Sequence, residues 1–398
     1  MDICLNMIVK DEAPIIEDCL RNICDKLPIK YWAISDTGST DGTQDIIKNF
    51  FEKEGIPGEL HEDEWKNFAH NRSVALTYAR GNCDYILFFD ADDRIEGEIT
   101  LPEDANLDTY YFELKGGEIT WDRIFLVRSD WFWQWVGVVH EVIAREEPGM
   151  HYSSGYIKGG YNVIPGHFGN RSQVPNNVKY GKDAAILEEA FYELEKEEND
   201  KWNLLPRYAF YCGQSFRNVM DWEKTIYWYK KRTELGGWRE EVMMSYVELG
   251  KAYMKNGQEE MAIAAWTKGY DYDQSRAECL YKIAEYYYDI DKKITAYIFA
   301  RAAKNIKYPK TDKLFVQHHV YNHKIDYILT VVTWYYNSFY ELEQNDKDIL
   351  DSFKAIYRHK KQYNIDNTLS NMEFYFPGKS KEELLAMISE KEVEVYEV

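Results

Sequence analysis

Residues 84–93, DYILFFDADD, decide how the first third of the chain is read. Tyr85 to Phe89 form an unbroken apolar run, the pattern of a strand buried on both faces. Asp90-Ala91-Asp92 follows at once. A tight turn at the strand end would let both carboxylates reach one cation. Two hard oxygen donors suit Mn²⁺ or Mg²⁺, and such a cation can bridge a diphosphate. Acidic residues in a solvated surface turn are the plainer explanation of the same motif, so the flanking sequence has to decide.

Upstream, ICLNMIV (3–9) is a second short apolar run. KDEAPIIEDCLRNICDKL carries apolar residues at helical spacing, with Pro14 near its start. YWAISDTGSTDGT reads as a strand entering a Gly/Ser/Thr/Asp loop, and DIIKNFFEKEG as a helix closed by Gly55. A third helix is expected from about Asn67 to Gly81. Alternating strands and helices imply a parallel sheet with crossover helices, and such sheets bind ligands at the C-terminal ends of their strands. Three polar clusters fall there: Lys10-Asp11-Glu12, Asp36-Thr37-Gly38-Ser39 and Asp90-Ala91-Asp92. Asp36 and Asp41 also have a simple role as turn-formers, and both roles are compatible.

Downstream, TYYFELKGG, RIFLVRS and WVGVVHEVIAR read as antiparallel strands that extend the sheet and cover an acceptor side. From about residue 200 the pattern is helical and repeated. Tyr246, Leu249, Gly250, Tyr253, Ala262, Trp266 and Gly269 fit the tetratricopeptide pattern. A shift of 34 residues gives Leu280, Ile283, Ala284, Tyr287, Ala296, Ala300 and Ala303, and Gly213, Phe216, Thr225 and Tyr229 continue the series upstream less perfectly. Small residues let paired helices approach, and aromatics fill the spaces between pairs. Residues from about 311 onward are expected to form a helical cap, frayed at KEVEVYEV.

The 398 residues suit two or three domains. A net charge of −20 disfavours nucleic acid as the main partner. Cys4, Cys19, Cys24, Cys83, Cys212 and Cys279 are scattered without a C-x-x-C pair, which argues against a zinc site or disulfide framework. No signal peptide and no transmembrane run is expected, so the reading is a soluble, cytoplasmic protein.

Four blocks, LNMIVKDEAPIIEDCLRNI, SDTGSTDGT, WKNFAHNRSVAL and YILFFDADD, resemble the family 2 glycosyltransferases in order and spacing. The helical repeats make the chain similar to a soluble subgroup that includes bacteriocin S-glycosyltransferases. The resemblance implies an α/β, Rossmann-like GT-A domain over residues 1–180, with a nucleotide half (1–95) and an acceptor half (96–180). An all-α tetratricopeptide-like domain (181–310) and a capping region (311–398) would follow. It implies that Asp36 reads the nucleotide base, with Val9, Lys10, Asp11, Glu12, Gly38 and Ser39 around it. Asn71 and Arg72 would lie near the nucleotide, with Asp90 and Ala91. Asp90 and Asp92 would hold Mn²⁺ or Mg²⁺, with His167 as third ligand, and Arg171 and Lys179 could approach the diphosphate.

WDRIFLVRSDWFWQWVGVVHEVI resembles the acceptor-side block of the subgroup. Inverting transfer needs a base for the attacking hydroxyl or thiol. Glu141 is the first choice and His140 the second, although the family more often shows an acidic pair; a strand-end salt bridge is the other reading of this H-E pair. Trp131, Trp133 and Trp135 alternate and share a face if extended. Trp133 and Trp135 are expected on the acceptor side, unless this face packs against the helices instead.

The resulting expectation is an inverting, metal-dependent hexosyltransferase-like enzyme. It would move a sugar from a UDP-sugar to a protein, peptide or glycan. The repeats would either recognise the acceptor or form a homodimer. The alternative is a non-catalytic tetratricopeptide scaffold carrying a degenerate transferase domain, but Asp90 and Asp92 are both retained. A sugar nucleotidyltransferase would need a glycine-rich basic loop where the chain reads VKDEAP.

Overall fold

The computed structural model describes residues 1–116, 119–146, 149–166, 174–311, 314–343 and 347–389. The chain divides into two compact units, residues 1–237 with 313–315, and residues 238–312 with 316–398.

In the first unit, the apolar runs become parallel strands β1 (Ile3–Val9), β2 (Ile29–Asp36), β3 (Gly58–Glu62) and β4 (Tyr85–Phe88), in the order β3-β2-β1-β4. Their crossovers are α1 (Ile16–Lys26), α2 (Thr43–Glu54) and α3 (Phe68–Ala79). Gly55 ends α2, and the Asn67 side chain caps α3 by accepting from His70 N at 2.8 Å. Both sheet faces are covered. Leu5, Met7, Leu87 and Phe89 pack in one core with Ile16, Leu20 and Phe51, while Cys4, Ala33, Ile86 and Phe88 pack in another with Leu76 and Ala79. Buried Asn6 fastens α3 to the sheet by donating to Ala33 O at 2.8 Å and Ala75 O at 2.9 Å. The chain leaves β1 towards β2 and β3, then returns to β4 on the other side. The ends of β1, β2 and β4 therefore meet at a switch in strand order, where such sheets bind ligands.

Beyond β4 the sheet is mixed. β7 (Ile119–Arg128) is antiparallel to both β4 and β6 (Thr109–Gly116), as the sequence suggests. β10 (Ser154–Tyr156) and β11 (Lys158–Ile164) instead run parallel to β6, and β11 pairs antiparallel with an edge strand, β5 (Arg94–Thr100). A tight turn dictates antiparallel pairing, but these strands reach β6 after a long excursion that can reverse direction. That excursion contains β8 (Trp133–Val136) and β9 (Val142–Arg145). They form a separate two-stranded sheet rather than extending the main one.

Helices α4 (Asn176–Glu197), α5 (Leu204–Asn218) and α6 (Trp222–Leu235) complete this unit around Leu187, Phe191, Tyr208, Cys212 and Trp228.

Among its described residues, the regular elements of the second unit are all helices. The repeat pattern folds as the hairpins α7 (Arg239–Lys255) with α8 (Glu259–Tyr272), and α9 (Glu278–Asp289) with α10 (Lys293–Lys304). Gly250 shows why the small positions matter: a Cβ there would overlap the indole of Trp266, whose Nε1 donates to Val247 O at 3.1 Å. In the next hairpin Ala284 and Ala300 are both fully buried. A π-turn at Val320–Lys324 leads into α11 (Ile325–Phe339), followed by α12 (Lys347–Arg358), α13 (Ile365–Glu373) and α14 (Lys381–Ser389). KEVEVYEV lies outside the described residues. All six cysteines are free thiols, and no described helix is long and apolar enough to cross a membrane.

Candidate active site

The loop after β2 is fastened to the loop after β1 by short side chains. Asp36 is fully buried, and its Oδ1 accepts from Gly38 N (2.9 Å), Ser39 N (2.8 Å) and Gln44 Nε2 (3.0 Å). Ser39 Oγ accepts from Asp11 N at 2.8 Å, and Asp11 Oδ1 accepts from Thr40 N at 2.8 Å. Glu12 N donates to Thr43 Oγ1 at 2.8 Å, and Ala13 N to Asp41 Oδ2 at 2.9 Å. Val9 O takes both Thr37 N (2.9 Å) and Thr37 Oγ1 (3.1 Å). Turn chemistry thus occupies one oxygen of Asp36. Its Oδ2 is buried without a hydrogen-bond partner, a costly state for a carboxylate oxygen unless a ligand donor meets it.

Beside this loop lies a pocket of about 330 Å³ lined by Val9, Lys10, Glu12, Thr37, Trp65 and Phe68, among others. Trp65 is 41% exposed and stands edge-on to Phe68, with ring centroids 4.8 Å apart. Both aromatics stand in WKNFAHNRSVAL, and the sequence alone gives neither a role. Asn71 is fully buried, donates to Glu64 O and accepts from Lys66 N, each at 2.9 Å. Its side chain holds the segment that carries Trp65.

At the end of β4 the chain turns as expected, with Asp93 N donating to Asp90 O at 3.1 Å. Asp90 sits between two arginines. Oδ1 accepts from Arg72 Nη2 at 2.5 Å, and Oδ2 from Arg123 Nη1 and Nη2 at 3.2 and 3.3 Å. Arg72 comes from α3 and its Nε lies 2.7 Å from Glu141 Oε1. Arg123 comes from β7 and its Nη2 lies 3.6 Å from Asp93 Oδ2. Five charged groups therefore form a chain, Glu141–Arg72–Asp90–Arg123–Asp93. Burial works against the charge on Asp90, but the two guanidiniums outweigh it and hold the carboxyl well below the usual range. Burial and the negative charge of Asp90 push Asp93 up to about 7, partly countered by Arg123. Burial also opposes the charge on Arg72, and Asp90 and Glu141 more than restore it.

Asp90 and Asp92 share this turn, with Asp92 half-buried. His167 and Arg171 lie outside the described residues. Among the described residues no three His, Cys, Asp or Glu side chains are grouped to hold a metal ion. The carboxylate pair is not a self-sufficient cage. It fits a hard cation that takes one or two carboxylates and completes its shell with phosphate oxygens and water.

The link between β8 and β9 carries His140 and Glu141. Glu141 joins the charged chain, whereas the His140 ring stacks on Tyr211 with centroids 3.8 Å apart. His140 has a left-handed backbone (φ 56°), and its carbonyl accepts from Arg207 Nε at 2.7 Å. Trp133 is buried, and its Nε1 donates to Arg128 O at 2.9 Å, so it is part of the core rather than an open acceptor wall. Trp135 packs edge-on against Phe88 at 5.0 Å, and the Arg72 guanidinium lies 5.4 Å from its ring centroid. These tryptophans pack with Ile86, Phe88 and Val127 of the sheet and with Leu76 and Ala79 of α3, and Trp135 N donates to Ser73 Oγ at 2.9 Å. Lys179 lines a second pocket of about 540 Å³ that shares Trp65 and Phe68 with the first.

The sequence alone does not single out Arg123 or Asp93. Both lie inside quoted motifs, but only the pairing of β7 with β4 shows that they meet.

Residues 4–103 match the model of glycosyl transferase family 2. The matched segment spans β1 to β5 and includes Asp36, Arg72 and Asp90, while Arg123 and Glu141 lie beyond it. Among solved structures, the chain is similar to a mannosyltransferase from Pyrobaculum calidifontis in complex with GDP-Man and Mn²⁺. Identity there is 12%, with 67% of this chain and 86% of that one covered and a TM-score of 0.34. TarS 1–349 from S. aureus in complex with UDP-GlcNAc shows 10% identity, with 66% and 89% covered and a TM-score of 0.30. The C-terminal part of a TPR repeat-containing protein from Cytophaga hutchinsonii shows 18% identity, with 53% and 75% covered and a TM-score of 0.36.

Proposed function

We propose that the chain is an inverting glycosyltransferase that takes a UDP-sugar, with a divalent cation, and transfers the sugar to a protein, peptide or glycan. The observation that carries this reading is the buried, unpartnered Oδ2 of Asp36 beside an apolar pocket, in the family 2 segment. A carboxylate oxygen selects a ring N–H donor, such as N3–H of uracil, and Trp65 and Phe68 offer aromatic walls for the base. The adjacent end of β4 receives the diphosphate.

Asp90 and Asp92 would hold Mn²⁺ or Mg²⁺, which supplies positive charge for the departing diphosphate. Arg72, fixed between Asp90 and Glu141, keeps these two carboxylates oriented. Glu141 accepts the proton of the acceptor hydroxyl or thiol. The acceptor atom bonds to the anomeric carbon as the bond to the diphosphate oxygen breaks, and the bonding electrons leave on the diphosphate. Glu141 is preferred to His140 because it belongs to the charged chain, while His140 is stacked on Tyr211.

The test is UDP release from a panel of UDP-sugars with Mn²⁺. Release is expected for at least one donor, abolished by EDTA, restored by Mn²⁺ and lost in Asp92→Ala. Absence of both release and a nucleotide-dependent thermal shift would overturn the reading for these donors.

A further inference from the structure

The two arginines that share Asp90 are held very differently. The Arg72 side chain is 14% exposed and anchored at both ends, 2.5 Å from Asp90 and 2.7 Å from Glu141. The Arg123 side chain is 37% exposed, and its contacts with Asp90 and Asp93 are 3.2 to 3.6 Å. Charge-assisted hydrogen bonds normally settle at about 2.7–2.9 Å, so Arg123 is loosely held. Its Nε is buried without a hydrogen-bond partner, which leaves a donor of the guanidinium unused. Its backbone, by contrast, is fixed within β7, in the register Leu87↔Leu126 against β4. The guanidinium rests over the Phe125 ring, 4.2 Å from the centroid. The side chain can therefore change partners without any backbone movement.

We propose that Arg123 is a diphosphate-binding residue that exchanges partners. Without donor it neutralises Asp90 and Asp93; with donor bound it turns its guanidinium to the diphosphate. The inference rests on the nucleotide-sugar reading above. A guanidinium and a divalent cation on one carboxylate repel each other, so a cation arriving at Asp90 displaces the looser arginine. The arriving anion is the diphosphate, whose oxygens match the planar fork of a guanidinium. As the anomeric bond breaks, Arg123 meets the charge that accumulates on the leaving group.

The test measures binding of UDP with Mn²⁺, of uridine, and of Mn²⁺ alone, to wild type, Arg123→Ala and Arg123→Lys. Calorimetry reads the nucleotides and electron paramagnetic resonance reads free Mn²⁺. Arg123→Ala is expected to weaken UDP by about 10–100-fold, the scale of a lost charge-assisted hydrogen bond, while uridine is unaffected. Arg123→Lys should recover part of the loss, and Mn²⁺ alone should bind Arg123→Ala more tightly than wild type. UDP bound equally by wild type and Arg123→Ala, an equal loss for UDP and uridine, or weaker Mn²⁺ binding to Arg123→Ala would overturn the proposal. If wild type binds neither UDP nor uridine, the donor reading falls and the proposal with it. UDP bound equally by the two proteins removes the proposal alone. Melting curves of the variants confirm that each is folded.

Discussion

The ends of β2 and β4 each present a buried or half-buried aspartate, but the two are built on opposite plans. Asp36 is held by the backbone and side chains of its own loop, Gly38, Ser39 and Gln44, and keeps one oxygen without a partner. Asp90 is held by two cations from α3 and β7, and both of its oxygens are engaged. The first arrangement is a rigid receptor with one acceptor oxygen in reserve. The second is a balanced set of charges that a ligand must rearrange. Under the proposed function, a nucleoside would dock on the first by adding a hydrogen bond, and a diphosphate on the second by exchanging ion pairs.

This contrast can be broken most forcefully at Asp90. Asp90→Ala leaves Arg72 and Arg123 without their shared carboxylate, and breaking such a pair costs up to about 3–5 kcal/mol. Donor turnover is expected to fall by on the order of 10²–10³-fold. Denaturant midpoints and UDP-release rates check both, and a variant as stable as wild type would show that the charges are not coupled.

At the other strand end, Asp36→Asn keeps a carbonyl for Gly38 and Ser39 but can set an N–H in place of Oδ2. Nucleotide affinity should drop about 10–100-fold, with little change in the melting temperature. Asp36→Ala should lose affinity and about 1–3 kcal/mol of stability together. Equal melting of the Asn and Ala variants would mean that the loop does not depend on Oδ1.

Asn71→Ala removes two bonds to the 64–66 segment and should cost about 1–2 kcal/mol, weakening uridine through the release of Trp65. Unchanged uridine affinity would take Trp65 out of the base pocket. The smallest effect is expected for Thr43→Val, which removes the bridge between Glu12 N and Asp41. A loss of about 0.5–1.5 kcal/mol in chemical unfolding is expected.

The same contrast explains what could be read from the sequence. The β2 site is local: Asp36, Gly38, Ser39 and Thr43 lie in one continuous loop, and short polar residues in such a stretch announce their turn chemistry. The crossovers that bring β1, β2 and β4 together follow from alternating apolar runs. The small and large positions of the 34-residue period fall on α7 to α10. The β4 site is non-local. Asp90 and Arg72 stood out within motifs, but Arg123 reaches Asp90 only through an antiparallel pairing whose partner and register the sequence leaves undetermined. Trp133, expected on the acceptor side, is buried, and the sequence does not show this for a related reason. Alternation identifies a shared face but not whether that face is inside. The parallel course of β10 and β11 depended on how the chain returned from β8 and β9, which local patterning does not encode.

Gly250 and Trp266 have a consequence for how this chain can change over generations. Gly213 makes a similar approach to Tyr229, where a Cβ would press on the ring at 3.0 Å, and Ala284 and Ala300 fill the corresponding positions of another hairpin with two small residues. Each couple has a size rule of its own: a bulky ring opposite no side chain at all, or two methyls. A lone exchange of Gly250 for alanine forces the indole aside, whereas a joint exchange with a smaller residue at 266 restores the fit. Diversity in the helical region should therefore arrive in pairs, with mismatched intermediates selected against.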